Sequence, residues 1–280
     1  MKIGVVGGGV VGSATARTYL EWADEVRVYD LRAERRSHNL HEVLECDLVF
    51  VCLPTPLKDG SLECDLSVVE GFFRDMIHGK GLTGILPKGG YSARNFVLRS
   101  TVPIGTTRML ARDYGLTNIV HSPEFLTARC AMTDAQFPSR NVIGLPNGWT
   151  ERNQCGELLN GLYANRFPGC PVHIMTSDES EAVKLFQNGL FATTVAYWNE
   201  VRCLADEKGL NWVTVIKAVL ADGRIPRSHC RVPGPDGRRG FGGSCLPKDL
   251  SMLVDQLGEA GVVANAALRR NETIDRKRND

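Results

Sequence analysis

The chain has 280 residues and a formal net charge of +1. That length suits one large or two ordinary domains, and the near-neutral balance gives no electrostatic reason to expect nucleic acid or membrane. Composition is that of an ordinary globular protein, and no apolar run is long enough to span a bilayer.

Residues 2–6 form a short β-branched run, a buried-strand signal. Gly7-Gly8-Gly9-Val10-Val11-Gly12 follows and fits G-x-G-x-x-G. Residues 13–22 predict a helix, and 25–29 predict a strand that ends at Asp30. This is the strand–turn–helix–strand–acid context of a dinucleotide site. In that reading Gly7 permits the tight turn, Gly9 lets the backbone approach the pyrophosphate, and Gly12 lets helix pack on strand. Val10 and Val11 lie within the glycine motif and join the cofactor candidates, with the pyrophosphate expected at the helix N-terminus. Asp30 accepts from the ribose hydroxyls, which favours NAD over NADP, although Arg32 lies nearby. Lys2 and the following apolar stretch loosely imitate a signal peptide, but four glycines interrupt it.

The α/β alternation continues. Strands are expected at 46–53, 95–99, 118–121, 141–145 and 172–175, with helices at 65–77 and 104–114. A doubly wound sheet binds ligands at the carboxyl ends of its strands. Pro54-Thr55-Pro56, Ser100-Thr101 and Glu124 all fall at such ends. Pro54, Thr55 and Thr101 join the cofactor candidates. From residue 177 the pattern changes to one long helix, 178–208, with Ser177 as N-cap. Lys184 and Asn188 are four apart and share a face of it. A second helix is expected at 212–220 and another at 250–257. The end, 269–280, is dense in charge and reads as a solvated tail. The expected organisation is therefore a Rossmann-like doubly wound sheet over 1–176, then an all-helical central domain over 177–268 containing the long helix.

Between the helices lies Gly240-Phe241-Gly242-Gly243-Ser244-Cys245-Leu246-Pro247-Lys248-Asp249. Glycines bracket one thiol, and a helix after Pro247 would place its N-terminal dipole near the sulfur, favouring thiolate. Nine cysteines, an odd number without CxxC or zinc spacing, predict free thiols in a reducing cytoplasm. Six scattered histidines give no metal site.

A plain alcohol dehydrogenase has no use for a nucleophilic thiol. A thiol is useful when an aldehyde must be oxidised onward. Cys245 can add to the aldehyde, the thiohemiacetal can give up a second hydride, and the thioester is then hydrolysed. Lys184 and Asn188 are suited to the oxyanion, and the carboxylates Glu124 and Asp249 to proton transfer.

These motifs together, with Ser122-Pro123-Glu124-Phe125-Leu126 and Asp222-Gly223-Arg224-Ile225, resemble the UDP-glucose/GDP-mannose dehydrogenase family over nearly the whole chain. The resemblance implies Cys245 as nucleophile and Lys184 with Asn188 at the oxyanion. Asp249, with Thr101, would position or activate water, and Glu124 would be the general acid/base for thioester hydrolysis. It also implies that Glu124, Phe125, Leu126, Lys184, Arg224 and Gly242 contact a nucleotide sugar. The lead-in Val232-Pro233-Gly234-Pro235 favours UDP-glucose, while Cys-Leu-Pro-Lys-Asp also resembles GDP-mannose enzymes. A homodimer through the long helix is implied as well.

Three departures stand out. Ala128 replaces a second acid, Arg99 replaces a common lysine, and nothing after Leu268 can build the nucleotide-covering α/β domain of relatives. The expectation is either a short form that works with two domains and a partner polypeptide, or a fragment. A non-catalytic NAD-binding scaffold and a 6-phosphogluconate-type hydroxyacid dehydrogenase are the competing readings.

Overall fold

The computed structural model describes residues 1–78, 91–127, 129–146 and 153–276, and Ala128 lies outside them. The chain divides into two compact units. The first comprises Met1–Pro56 and Cys64–Lys184, the second Leu57–Glu63 and Leu185–Asp280.

The first unit begins with β1 (Lys2–Val6), α1 (Val10–Tyr19), β2 (Glu25–Tyr29), α2 (Leu40–Leu44), β3 (Leu48–Val51) and α3 (Ser67–His78). It continues with β4 (Phe96–Leu98), α4 (Thr106–Asp113), β5 (Ile119–His121), α5 (Ala131–Gln136), β6 (Asn141–Leu145), α6 (Gln154–Arg166) and β7 (Val172–Thr176). The seven strands form one sheet in the order β2-β1-β3-β4-β5-β6-β7. β1 to β5 are parallel, β6 turns antiparallel to β5, and β7 runs parallel to β6.

Every residue of β3 is fully buried, as a central parallel strand requires. Its side chains alternate between two cores. Val49 and Val51 pack with Val43, Phe73, Met76 and Leu110, from α2, α3 and α4. Leu48 and Phe50 pack with Ala16, Tyr19, Leu159 and Tyr163, from α1 and α6. The strand period of two thus puts helices on both faces, and each large side chain buried there contributes about 1.5–3 kcal/mol. The order changes direction between β1 and β3, which places the glycine turn and the Pro54-Thr55-Pro56 turn at the switch point.

The long helix α7 (Ser177–Glu207) starts in the first unit and continues into the second. Its cap is not Ser177. Thr176 Oγ1 accepts from Glu179 N at 3.3 Å, and Glu179 Oε2 accepts from Thr176 N at 2.8 Å, a reciprocal capping box one residue earlier. The second unit adds α8 (Trp212–Val219), α9 (Leu246–Leu257) and α10 (Val262–Arg270). Ala192, Ala196, Leu250, Leu253, Ala267 and Leu268 make its core. Gly189 lets α9 approach α7, since a Cβ there would lie 2.5 Å from Leu253 Cδ2. Among the described residues no helix is long and apolar enough to cross a membrane.

Residues 270–276 differ from the solvated tail expected over 269–280, and 277–280 lie outside the described residues. Asn271 is buried, its amide bonding both Phe241 N (2.8 Å) and Phe241 O (3.0 Å). Arg276 donates to Asp236 at 2.6 Å, and Arg270 lies 3.1 Å from Asp275. The charges at 270–276 pair with one another and with the glycine loop rather than with water.

His121 closes β5 fully buried, with Nδ1 2.8 Å from Ser180 Oγ. Burial pushes its pKa from 6.5 down to about 3. The unfolded chain takes a proton below about 6.5, while folded His121 stays neutral until about 3. Stability is therefore lost as pH falls through that window, by up to about 1.4 kcal/mol per pH unit. His121→Gln should flatten the acid limb of a thermal-unfolding series. An unchanged acid limb would show that other groups set it.

Candidate active site

In the first unit the glycine turn is built as a cradle. Gly7 has φ +96°, and a Cβ there would meet Cys52 O, while a Cβ at Gly12 would drive into Gly7 O. Gly9 has nothing within 4 Å of such a Cβ, so its backbone face is open. Val10 and Val11 begin α1 directly after it. Asp30 Oδ2 accepts from Gly8 N at 2.7 Å, and Oδ1 from Arg32 N at 2.8 Å. Each oxygen keeps a free lone pair for a diol. A cavity of about 540 Å³ opens against Gly8, Gly9, Val10 and Ser13, with Arg35 and Arg129 on its wall.

The turns after β3 and β4 are tied together. Thr55 Oγ1 donates to Thr101 O at 2.7 Å, and Ser100 Oγ to Leu53 O at 2.7 Å. Thr55 is buried and Pro54 exposed. Thr101 is thus held at a strand end next to the switch point.

After β5 the chain delivers Glu124, Phe125 and Leu126. Glu124 is 7% exposed and Lys184 is 3% exposed. Their charged atoms meet at 2.9 Å, and Glu124 Oε2 accepts from Leu126 N at 2.6 Å. Lys184 Nζ lies 5.8 Å from the centre of the Phe125 ring. Glu124, Phe125, Leu126 and Lys184 therefore form one cluster in the first unit.

One turn before Lys184, Glu181 was not assigned a role from sequence. It is fully buried and accepts from Gly105 N (2.6 Å), Thr107 N (2.8 Å) and Thr107 Oγ1 (2.6 Å). These donors open α4, so Glu181 ties the Thr101 turn and its helix to α7. Burial pushes its carboxyl up to about 7, against the pull of three donors. Its place three residues before Lys184, on the same helix face, was the available signal.

The second unit holds the thiol. Cys245 is exposed and is the N-cap of α9, with Pro247 in the first turn. Asp249 N donates to Cys245 O at 2.8 Å, closing the first turn beneath the thiol. Asp249 is 1% exposed. Its Oδ2 accepts from Asn188 Nδ2 at 2.6 Å, and Oδ1 lies 2.7 Å from Lys248 Nζ. Gly242 sits against Arg276, whose Nη1 a Cβ would strike. Arg224 stands apart from this cluster. It is exposed and chelated by Asp222 at 2.6 Å.

Comparison with known proteins gives these residues a context. Residues 30–166 match the NAD binding domain of the UDP-glucose/GDP-mannose dehydrogenase family, and residues 178–274 match the central domain of the same family. A UDP-glucose 6-dehydrogenase of Streptococcus pneumoniae is 36% identical over 286 residues, spanning 90% of this chain and 68% of its own length. The chain belongs to the UDP-glucose/GDP-mannose dehydrogenase family. A UDP-glucose 6-dehydrogenase of Campylobacter jejuni is 32% identical over 221 residues, covering 78% of this chain and 51% of itself. Among solved structures, a UDP-glucose dehydrogenase from Pyrobaculum islandicum superposes with TM-score 0.76 at 26% identity, covering 97% of this chain and 68% of that one. The chain thus spans between about half and two thirds of these relatives.

Family membership makes the first unit an NAD-binding domain, and its residues fit that cofactor. The Gly7 and Gly12 positions have no room for side chains, the Gly9 face is open, and Asp30 terminates β2 beside the cavity. Asp30→Ala should weaken NAD binding about ten- to a hundredfold, through lost bonds to a charged acceptor. Calorimetric titration checks this, with circular dichroism showing the fold intact. Unchanged affinity would remove Asp30 from the site.

Proposed function

We propose that this chain carries out the NAD-dependent oxidation of a nucleotide sugar at C6 to the uronate, in two hydride transfers, with UDP-glucose as the sugar nucleotide. The observation that carries the proposal is an exposed thiol at the N-cap of α9, with a buried Asp249–Asn188 pair one turn away. A dehydrogenase that stops at a ketone or aldehyde has no use for that thiol.

Gly7, Gly9, Val10, Val11, Gly12, Asp30, Pro54, Thr55 and Thr101 would hold NAD, which would supply one hydride acceptor per oxidation, two NAD being bound in turn for each acid formed. Glu124, directly or through water, takes the alcohol proton as the aldehyde forms. Cys245 Sγ then adds to the aldehyde carbon as a thiolate, forming a carbon–sulfur bond and a thiohemiacetal oxyanion. Lys184 and Asn188 stabilise that charge from adjacent turns of α7. Loss of the second hydride leaves a thioester on Cys245. Asp249, with Thr101, orients the water that cleaves it, and the acid leaves with the thiolate restored. Glu124, Phe125, Leu126, Lys184, Arg224 and Gly242 would contact the sugar nucleotide.

The test is nicotinamide reduction with NAD and a panel of UDP- and GDP-sugars. Turnover of UDP-glucose supports the proposal. Turnover of a GDP-sugar alone moves the specificity, and turnover of a small hydroxyacid alone replaces the reading. NAD binding without turnover would favour a non-catalytic chain, or one that needs a second polypeptide for the nucleotide.

We further infer a homodimer through α7, in the cytoplasm. Phe186, Leu190, Tyr197 and Leu204 are each more than half exposed, at 55%, 64%, 58% and 54%. Their spacing of four and then seven residues draws an apolar stripe along the helix. Leu190→Glu should convert a dimer to a monomer in sedimentation velocity. A monomeric wild type, or a dimer indifferent to this change, would contradict the assignment. The nine free thiols suit a reducing compartment.

A further inference from the structure

Arg99 is the cation that the reaction above does not use. It closes β4 and lines a cavity of about 240 Å³ in the first unit. The other walls come from Thr15, Thr18 and Tyr19 of α1, from Phe125, and from Asp134 and Arg140. None of these residues belongs to the cavity beside the glycine turn.

The polar groups around Arg99 leave it short of acceptors. Nη1 donates to Ser122 O at 3.3 Å and to the Tyr163 hydroxyl at 3.2 Å, both long contacts. Nε is buried with no acceptor, and Nη1 alone of the two terminal nitrogens makes a hydrogen bond among the described residues. Among the described residues no carboxylate pairs with Arg99. Its flat face lies 5.8 Å from the Phe50 ring centre. Thr15 Oγ1, on the same wall, is also buried, and it meets nothing better than the Cys52 thiol. Asp134 spends Oδ2 on Thr127 N at 2.7 Å, and Arg140 stacks on Phe125 at 4.0 Å.

A partly buried guanidinium without an anionic partner is under-solvated, and an anion that joins it relieves the cost. Its planar fork suits the paired oxygens of phosphate or carboxylate. The volume admits a small oxyanion and is too small for a dinucleotide. We propose that this cavity, distinct from the one at the glycine turn, binds a small oxyanion on Arg99, with the Thr15 hydroxyl beside it. It shares Phe125 and Leu126 with the residues assigned to the sugar nucleotide, and rests on neither the thiol nor the hydride steps.

The experiment is isothermal titration of the full chain, with NAD saturating so that the glycine turn is filled. Inorganic phosphate and malonate are the two probes, at constant ionic strength set with chloride. Saturable binding of at least one probe is expected, and the stronger of the two identifies the preferred oxyanion. Arg99→Gln should weaken it about tenfold or more, by loss of a charge-assisted bidentate contact. Arg35→Gln, on the wall of the other cavity, should leave it unchanged. Should Arg99→Gln not fold, Thr15→Val provides the second lesion on the same wall and should also weaken binding. No saturable heat from either probe with the wild-type chain overturns the proposal, as does equal binding by the wild type and the folded cavity variant. The NAD titration that precedes the probes reports separately on the dinucleotide site.

Discussion

Cys245→Ser is expected to stop acid formation, with a loss of roughly a thousandfold or more, while NAD affinity stays within error of wild type. The hydroxyl keeps the shape of the N-cap, and α9 begins one residue later at Leu246, so the helix is not disturbed. What is lost is a nucleophile able to add to an aldehyde near neutral pH. Among the described residues, the side chain at 245 meets only Ser244 Oγ, at 3.6 Å, and no base. The carboxylate nearest in sequence, Asp249, is committed to Asn188 at 2.6 Å and Lys248 at 2.7 Å. The check is acid measured by chromatography alongside NADH. Acid formed at the wild-type rate would sink the thioester route and favour a hydroxyacid dehydrogenase.

Lys184→Ala should have the next largest effect, and on two quantities at once. Removing the ammonium leaves Glu124 with Leu126 N as its one donor among the described residues, in a site where it is 7% exposed. Breaking a buried pair in this way costs about 3–5 kcal/mol of stability. Turnover should fall by roughly a hundred- to a thousandfold, from the lost oxyanion stabilisation. Stability and catalysis separate in the double variant Lys184→Ala with Glu124→Gln. The neutral amide relieves the stranded charge, so thermal stability should recover while turnover stays low. If the double variant regains turnover, neither the Glu124 proton-acceptor role nor the Lys184 oxyanion role stands. If NAD affinity falls instead, Lys184 belongs to the cofactor site.

The central strands were readable from sequence because β1, β3, β4 and β6 are short, largely apolar runs, and the edge strand β2 alternates instead. Glu25–Tyr29 and Asn141–Leu145 have the expected bounds. The antiparallel entry of β6 was not readable, since strand direction depends on pairing between distant segments. The helix α6 was missed because Gly156, Asn160 and Gly161 lower its propensity. It forms because Cys155, Leu159, Leu162 and Tyr163 bury one face against the sheet. The end of the chain was misread for the opposite reason. Its charge density suggested solvation, whereas Arg270, Asp275 and Arg276 satisfy partners that no local pattern reveals. At the site, residue types and spacing pointed to Lys184, Asn188, Glu124 and Asp249. That Lys184 pairs with Glu124, and Asn188 with Asp249, followed only from the fold.

The most direct test of the central claim is the hydride count. The full chain is given UDP-glucose and excess NAD, and NADH and uronate are measured in the same sample. The account predicts two NADH for each acid, with no free aldehyde at any time. One NADH for each sugar, with aldehyde or ketone as the product, would contradict it and leave Cys245 without a catalytic role.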